Sequence, residues 1–129
     1  MSGAMRFEYL SDCDAVHASF VICVLETKED VDRWEREVGQ KLSAFGRKVD
    51  LIIDMNGLQV RAKAGSAFGA ARARVLTKYS KHSVRYGGDR ATRTSVLTSA
   101  VIHAVEANFH ETKEEAIKAL RALREAERR

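Results

Sequence analysis

A short apolar run in the middle of the chain most constrains how this sequence can fold. Val49-Asp50-Leu51-Ile52-Ile53 leads directly into Asp54, Asn56 and Gly57. An unbroken β-branched run bounded by turn residues and flanked by helical patterns predicts a strand buried on both faces of an α/β sheet. Open α/β sheets place their functional loops just beyond the carboxyl ends of their strands. We therefore expect a site, if there is one, to begin at Asp54.

The amino-terminal side of this run predicts an antiparallel hairpin followed by a helix. Residues Arg6–Leu10 and Ala15–Leu25 are rich in β-branched and aromatic side chains, and the turn formers Ser11–Asp14 separate them. Thr27 is suited to cap a helix, and the apolar residues after it recur every three or four positions until Gly46.

The carboxyl-terminal side alternates helix and strand patterns. We expect a connection over residues 58–64, a helix from Gly65, a strand over residues 83–86, and a helix from about Thr92 to Ala107. Thr112 and Glu115 have the spacing of a capping box for a last helix. The order β-β-α-β-α-β-α-α predicts an α/β fold with a mixed, mostly parallel sheet, an N-terminal antiparallel hairpin and about four helices. The apolar side of the third helix is predicted to comprise Val96, Leu97, Ala100, Val101, Ala104 and Val105.

The totals favour one cytoplasmic domain. A chain of 129 residues can bury a core without metal or disulfide help, so we predict a single domain over residues 6–129 after a flexible leader of residues 1–5. No apolar run approaches the roughly 18 residues of a membrane span, and no secretory signal opens the chain. Two cysteines, Cys13 and Cys23, favour reduced thiols over a disulfide framework.

Charge is distributed unevenly along the chain. Residues 61–93 hold nine basic side chains and a single acidic one, Asp89. Such a bias suggests that this region faces something anionic: a phosphate-bearing ligand, a lipid head group, nucleic acid, or the acidic N-terminal half of a second copy. Amphipathic elements that expose ordinary solvated basic faces explain the same bias, and both interpretations stay open.

The pattern of elements resembles a known family. A strand that ends Ile52-Ile53-Asp54-Met55-Asn56-Gly57-Leu58, with a glycine eight residues later at Gly65, is similar to the STAS domain of sulphate transporters and anti-sigma-factor antagonists. The ending Phe109-His110-Glu111-Thr112-Lys113-Glu114-Glu115-Ala116, followed by an amphipathic helix, resembles the SpoIIAA-like branch of small stand-alone bacterial proteins. The resemblance covers roughly residues 6–125 and implies a SpoIIAA-like fold.

One departure from the family bears on function. In the phosphorylated antagonists the loop before the helix is Asp-Ser-Ser-Gly, and the serine before the glycine accepts phosphate from a partner kinase. The matching stretch here is Ala62-Lys63-Ala64-Gly65, so Ala64 occupies the acceptor position, and Ser66 is out of register. The resemblance therefore implies the scaffold without the standard phosphorylatable serine.

Two loops are expected to meet at the carboxyl edge of the sheet, over residues 54–66 and 86–95. Their glycines, hydroxyls and guanidinium groups could cradle an anion, although neither a P-loop nor a dinucleotide fingerprint is present, and we expect no cofactor. A glycine turn followed by a helix cap explains the second loop equally well. The candidate ligand-binding residues are Asp54, Asn56, Gly57, Arg61, Lys63, Ser66, Gly87, Gly88, Arg90, Arg93, Thr94 and Ser95.

Asp54 and the histidines are the remaining candidates for chemistry. A carboxylate at a strand end can act as a nucleophile or metal ligand, but Asp54 can equally order its own turn by bonding the backbone near Asn56. His103 and His110 are seven residues apart, about 10 Å along an unbroken helix, so their spacing does not indicate a shared metal. We predict neither a catalytic nor a metal site.

The sequence thus favours a non-enzymatic regulatory or interaction module. It would bind a protein partner, which includes a second copy of the chain, or a small or lipid-like anionic ligand at the two loops. A nucleic-acid-binding protein is the first alternative, but residues 61–93 offer only Phe68, Tyr79 and Tyr86 as aromatic platforms. A small hydrolase that uses Asp54 is the second alternative.

Overall fold

The central apolar run forms a buried strand in the computed structural model, which describes residues 4–128 and the side chains of residues 5–128. The strands are β1 (Ala4–Leu10), β2 (Ala15–Val21), β3 (Cys23–Leu25), β4 (Val49–Asp54), β5 (Leu58–Val60), β6 (Ser80–Tyr86) and β7 (Phe109–His110). Five of them form a sheet with the order β1-β2-β4-β6-β7, in which only β1 and β2 are antiparallel, and β3 and β5 form a separate parallel pair.

The described residues form four α-helices. They are α1 (Lys28–Ser43), α2 (Gly65–Tyr79), α3 (Arg90–His103) and α4 (Lys113–Glu127), with a 3-10 turn at Ala62–Ala64 before α2. Helices α1 and α2 cover one face of this sheet, α4 covers the other, and α3 packs on α2 and β5. Leu51, on one face of β4, packs into the larger core beside Trp34 and Phe68 of α1 and α2. Ile52, on the other face, packs into the smaller core under Ala116 and Leu120 of α4. The predictions of a strand buried on both faces and of an α/β fold with a mixed, mostly parallel sheet, an N-terminal antiparallel hairpin and about four helices are confirmed.

Several predicted boundaries were wrong. The expected strand Ala15–Leu25 is interrupted at Ile22, whose φ of 49° takes the chain out of the first sheet, so residues 23–25 pair instead with β5. The connection predicted over residues 58–64 therefore contains a strand. The third helix ends at His103, because Ala104 adopts the left-handed conformation with a φ of 54°. Strand β1 includes Ala4 and Met5, which we assigned to the leader, and residues 1–3 lie outside the described residues.

Helix α4 is fixed to the sheet by a polar cluster around Asp50. The carboxylate of Asp50 accepts from the backbone N–H of His82 at 3.1 Å and from Nε of Arg124 at 2.8 Å. The same guanidinium group donates to the carbonyl oxygens of Cys13 and Asp14 at 2.5 and 2.6 Å. One arginine of α4 thus joins the helix to β4 and to the hairpin turn. Cys13 and Cys23 are both buried, and no disulfide joins them.

Candidate interaction site

The turn after β4 and the turn after β6 lie side by side, as the parallel strand order requires. Asp54 Oδ1 accepts from both the backbone N–H and the side-chain Nδ2 of Asn56, each at 2.9 Å. Asn56 Oδ1 in turn accepts from the backbone N–H of Gly88 at 3.1 Å. Asp54 therefore orders its own turn, and Asn56 ties that turn to the glycine pair.

The close approach of these turns depends on glycine. Gly87 and Gly88 have φ values of 74° and 92°, and a Cβ on Gly87 would lie 2.5 Å from the side chain of Asn56. Gly57 lies against β2, where a Cβ would be 1.7 Å from the carbonyl oxygen of Phe20. Asn56, Gly57, Gly87 and Gly88, together with Asp54, form a closed structural joint. Within this joint, the Asp54 carboxylate, the Asn56 side chain and the Gly88 N–H group hydrogen-bond to one another.

A surface groove of about 800 Å³ lies beside this joint, between α2 and α3. Four of the predicted site residues, Ser66, Arg90, Thr94 and Ser95, line it together with the small residues Gly65, Gly69, Ala70 and Ala91. Arg61 and Lys63 are exposed on the segment that precedes α2. The structure thus divides the predicted site into a joint at the strand ends and a groove between two helices.

Helices α2 and α3 run parallel and approach each other through small side chains. A Cβ on Gly65 would lie 3.3 Å from Ser95 Oγ, and one on Gly69 would lie 3.0 Å from the Cβ of Ser99. Both pairs advance by four residues, so the same faces remain in contact over a full turn of each helix. As a result, the amino-terminal ends of the two helices, which carry partial positive charge, point in the same direction.

The outer side of α3 carries exposed apolar side chains, two of which, Leu97 and Val101, were predicted to be buried. Leu97, Val101 and Ile102 are 52, 85 and 69% exposed, whereas the buried residues of this helix are Thr92, Val96 and Ser99. The prediction of a buried Leu97 and Val101 was wrong because apolar and polar residues alternate around α3, and its inward side includes the hydroxyl side chains of Thr92 and Ser99, so periodicity did not identify that side. Thr92 is buried because its Oγ1 accepts from the N–H of Val60 at 2.9 Å and docks α3 on β5.

Two of the nine basic residues that suggested an anionic partner lie in the interior. Arg72 and Arg85 are 5 and 1% exposed, and both donate to the carbonyl oxygen of Glu106. Arg72 also donates to Ser99 Oγ at 2.9 Å, and Arg85 to Ser83 Oγ at 2.5 Å. Burial lowers the pKa of Arg72 to about 10, and burial with the neighbouring Arg72 lowers the pKa of Arg85 to about 9.

Other basic residues of this stretch already have partners. Arg74 forms a two-pronged ion pair with Glu35, both N···O distances being 2.8 Å. Arg93, a predicted site residue, lies over the ring of Phe109 with 4.9 Å between the guanidinium carbon and the ring centroid. Of the remaining basic side chains, Arg90 lines the groove, and Arg61 and Lys63 flank its lining residue Ala62; all three are exposed, as are Lys78 and Lys81. The surface charge of the region is therefore smaller than its sequence charge but still positive.

Two negative observations apply to residues 4–128 only. Their His, Cys, Asp and Glu side chains form no group of three or more that could hold a metal ion. None of their helices combines the length and the apolar character that crossing a bilayer requires.

Comparison with solved structures identifies the fold. The unphosphorylated anti-sigma factor antagonist SpoIIAA matches with a TM-score of 0.56 and 17% identity over 92% of this chain and 97% of that one. An uncharacterised protein of the DUF3478 family from Shewanella loihica PV-4, described as SpoIIAA-like, matches with a TM-score of 0.59 and 17% identity over 92 and 94%. The phosphorylated form of the Bacillus cell fate determinant SpoIIAA matches with a TM-score of 0.55 and 15% identity over 91 and 99%. No protein-family model matches the sequence, and no curated protein matches it significantly.

Proposed function

From the SpoIIAA-like fold of this chain, we propose that it is a non-enzymatic, cytoplasmic regulatory module that binds a protein partner along the groove between α2 and α3. The observation that carries the proposal is a set of exposed apolar side chains on α3: Ile102 lines the groove, and Leu97 and Val101 form a row on the neighbouring side of the helix. The inward side of this helix is docked on β5 through Thr92. Exposed apolar side chains grouped on one element are typical of protein interaction sites.

The shape of the groove suits an elongated apolar segment. Ile102 and Val60 line it, and the small side chains of Gly69 and Ala70 leave room in it for a partner. Leu97 and Val101 are one helical turn apart and extend the apolar surface along the outside of α3. An amphipathic helix of a partner could place its apolar side chains over this row, as helix-in-groove complexes do.

Charge defines the remaining chemistry of the partner. Arg90 lines the groove near the amino-terminal ends of α2 and α3, and the exposed Arg61 and Lys63 lie on either side of Ala62, which also lines it. The N-cap residue of α2 is Ala64, which has no side-chain oxygen to accept from the first-turn N–H groups. Positive side chains and helix dipole ends both favour carboxylates. We therefore propose a partner segment that is apolar along its length and acidic at one end.

Regulation would differ from that implied by the family motif. Ala64 is fully buried at the position of the family's phosphorylated serine, and it offers no hydroxyl. Partner binding would then not be controlled by phosphorylation at this position.

The two alternative functions have weaker support. For nucleic acid, the interior location of Arg72 and Arg85 and the ion pair of Arg74 remove three of the nine basic side chains from the binding surface. For a hydrolase, the Asp54 carboxylate is engaged by its own turn. The neighbouring Tyr86 has its pKa raised to about 12, chiefly by burial and then by Asp54, so its phenol stays protonated near neutral pH.

The test begins with site-specific photo-crosslinking. A photoreactive residue at Val101 captures a partner in cells, the same residue at Ala122 of α4 serves as the control site, and the captured protein is then purified. Isothermal titration calorimetry with that purified protein compares wild type with Leu97→Asp and Val101→Asp. We expect each substitution to weaken binding about tenfold or more, because it places a charge against an apolar contact.

The matched control is Ala122→Asp, which adds the same charge to an exposed helical position on the opposite face of the sheet. It should leave the affinity unchanged. Equal affinities for wild type and Val101→Asp would contradict the proposal. Two further outcomes would replace the proposal. Binding of short double-stranded DNA that weakens steeply with salt and is abolished by Arg90→Glu would indicate a nucleic-acid-binding protein. Binding of anionic lipid vesicles that the same substitution abolishes would indicate a lipid-like anionic ligand.

A further inference from the structure

We infer that the free edge of β1 is a pairing surface for β1 of a second copy of this chain, joined antiparallel about a two-fold axis through Phe7. Strand β1 lies at one end of the five-stranded sheet, and within residues 4–128 it pairs with β2 alone. It is seven residues long, and its pairing with β2 runs without a break from Ala4 to Leu10. One side of its backbone N–H and C=O groups therefore has no strand beside it.

This edge lacks the features that usually prevent strand association. Natural edge strands are commonly short, bulged, interrupted by proline, or protected by lysine and inward-pointing charges. Strand β1 (Ala-Met-Arg-Phe-Glu-Tyr-Leu) contains no proline and no lysine, and its register with β2 shows no bulge. Its two charged residues, Arg6 and Glu8, are exposed, lie two positions apart on the same face, and approach each other to 3.8 Å. A long, regular and unprotected edge favours pairing.

The sequence of the strand selects one register for a symmetric pair. In an antiparallel strand pair related by a two-fold axis, the residue numbers of any two opposite residues add up to the same total. That total must be even, because only then do the outward-pointing backbone N–H and C=O groups of the two strands face each other. With Phe7 opposite Phe7 of the second copy, Arg6 lies opposite Glu8 and Glu8 opposite Arg6, which gives two ion pairs. A shift in one direction places Arg6 opposite Arg6, and a shift in the other places Glu8 opposite Glu8, both of which are repulsive.

The same register also matches the apolar face of the strand. Met5 and Phe7 are half-buried and pack against the larger core, and Tyr9 on the same side is 45% exposed. Centring the pair on Phe7 brings the two Phe7 rings together and puts Met5 opposite Tyr9, so partly exposed apolar surface is covered in both copies. Directly opposite aromatic pairs and opposite charges each stabilise an antiparallel pair. Both faces of β1 therefore favour this register.

The resulting dimer would have a continuous ten-stranded sheet, because each copy contributes its five strands. The interface is isologous, so it closes after two copies and does not propagate into fibres. The groove between α2 and α3 does not involve β1: its lining residues come from β5, the segment before α2, and the two helices, and α2 packs on β6, which β2 and β4 separate from this edge. The inference is therefore independent of the proposed partner site, and both grooves would remain accessible in the dimer.

Sedimentation velocity over a range from micromolar to millimolar protein tests the inference. We expect wild type to show a monomer–dimer equilibrium, and Arg6→Glu and Glu8→Arg each to raise the dimer dissociation constant about tenfold, since two ion pairs become two like-charge pairs. Lys118→Glu, an equal charge reversal at an exposed position of α4, is the matched control and should not change the equilibrium. Circular dichroism of each variant verifies that it is folded.

Mixing the two variants is the sharpest measurement. Arg6→Glu carries two acidic residues on this face and Glu8→Arg carries two basic ones, so an equimolar mixture should form heterodimers at least as tight as the wild-type dimer. The double variant Arg6→Glu/Glu8→Arg should also restore dimerisation. Wild type that stays monomeric at the highest concentration would overturn the inference. So would a dimer insensitive to the single variants, or a mixture that fails to recover association.

Discussion

Replacing Gly57 by alanine tests whether the turn after β4 is pressed against β2. The added Cβ would lie 1.7 Å from the carbonyl oxygen of Phe20 and 2.5 Å from its carbonyl carbon, whereas real Cβ contacts essentially never fall below 3.0 Å. To raise the contact from 1.7 Å to 3.0 Å, the two backbone segments would have to separate by the difference, about 1.3 Å. Neither segment can yield by a side-chain rotation alone.

The cost follows from what that separation disturbs. The N–H of Cys23 donates to the carbonyl oxygen of Gly57 at 2.7 Å, and the loss of such a bond costs about 1 kcal/mol. Leu58 and Val60 follow directly in β5 and are 1 and 2% exposed, so the shift also disturbs packed core side chains. Overpacking of this kind costs about 1–3 kcal/mol. Together we expect Gly57→Ala to lower the free energy of unfolding by about 2–4 kcal/mol.

Urea denaturation followed by circular dichroism measures this change, with Gly39→Ala as the matched control. Gly39 lies within α1, and the nearest atom to its added Cβ is the hydroxyl oxygen of Tyr79 at 3.3 Å, at the end of a side chain that can move. Alanine is also the better helix former, so this control should stay within about 1 kcal/mol of wild type. If Gly57→Ala stayed within the same limit, the close approach of the turn to β2 would be refuted.

Three further predictions concern polar groups. His82 lies between Glu106 and Glu127, whose hydrogen bonds outweigh the effect of burial and raise its pKa above 6.5. The protonated imidazole therefore stabilises the folded protein; this contribution is complete below pH 6.5 and is lost as the pH rises through the raised pKa. Over that pH range, the unfolding free energy of His82→Asn should fall less steeply than that of wild type. Arg85→Met removes a buried charge together with its hydrogen bonds, and urea titration at pH 7 should find a net change below about 2 kcal/mol, whereas a loss above about 3 kcal/mol would contradict the reasoning. Asp89 caps α3 by accepting from the N–H of Thr92 at 2.8 Å, so Asp89→Ala should cost about 1 kcal/mol by the same assay, and an unchanged midpoint would exclude the cap.

The order of elements could be predicted because it depends on local patterns. The run ending at Asp54 has a composition that suits a strand buried on both faces, and Thr27 and Thr112 cap α1 and α4 as their positions suggested. Capping is a contact over three residues, and burial of a strand follows from its own side chains. The interruption at Ile22 was not predictable, since a β-branched residue rarely adopts a positive φ.

The candidate site was predicted less well, because charge and hydrophobicity along a sequence do not specify direction. Arg72 and Arg85 belong to a basic stretch, yet they donate into the interior toward the Glu106 carbonyl group. Leu97 and Val101 are among the apolar residues of α3, yet they are exposed. In each case a neighbouring element decides which side chains point inward. For Arg72 and Arg85 it is the carbonyl acceptor of Glu106 from a distant loop, and for α3 it is the docking of Thr92 on β5.

The amino-acid sequence by itself determined the SpoIIAA-like arrangement of strands and helices, the turn at Asp54, and the absence of a serine at position 64. Only the tertiary structure decided which predicted site residues form a closed joint, which line a groove, and which side of α3 remains in contact with water. The reason is physical: backbone preferences and periodicity act over a few residues, whereas exposure depends on which distant side chains arrive to cover a surface. The groove between α2 and α3 exists because residues thirty positions apart, such as Gly65 and Ser95, come into contact.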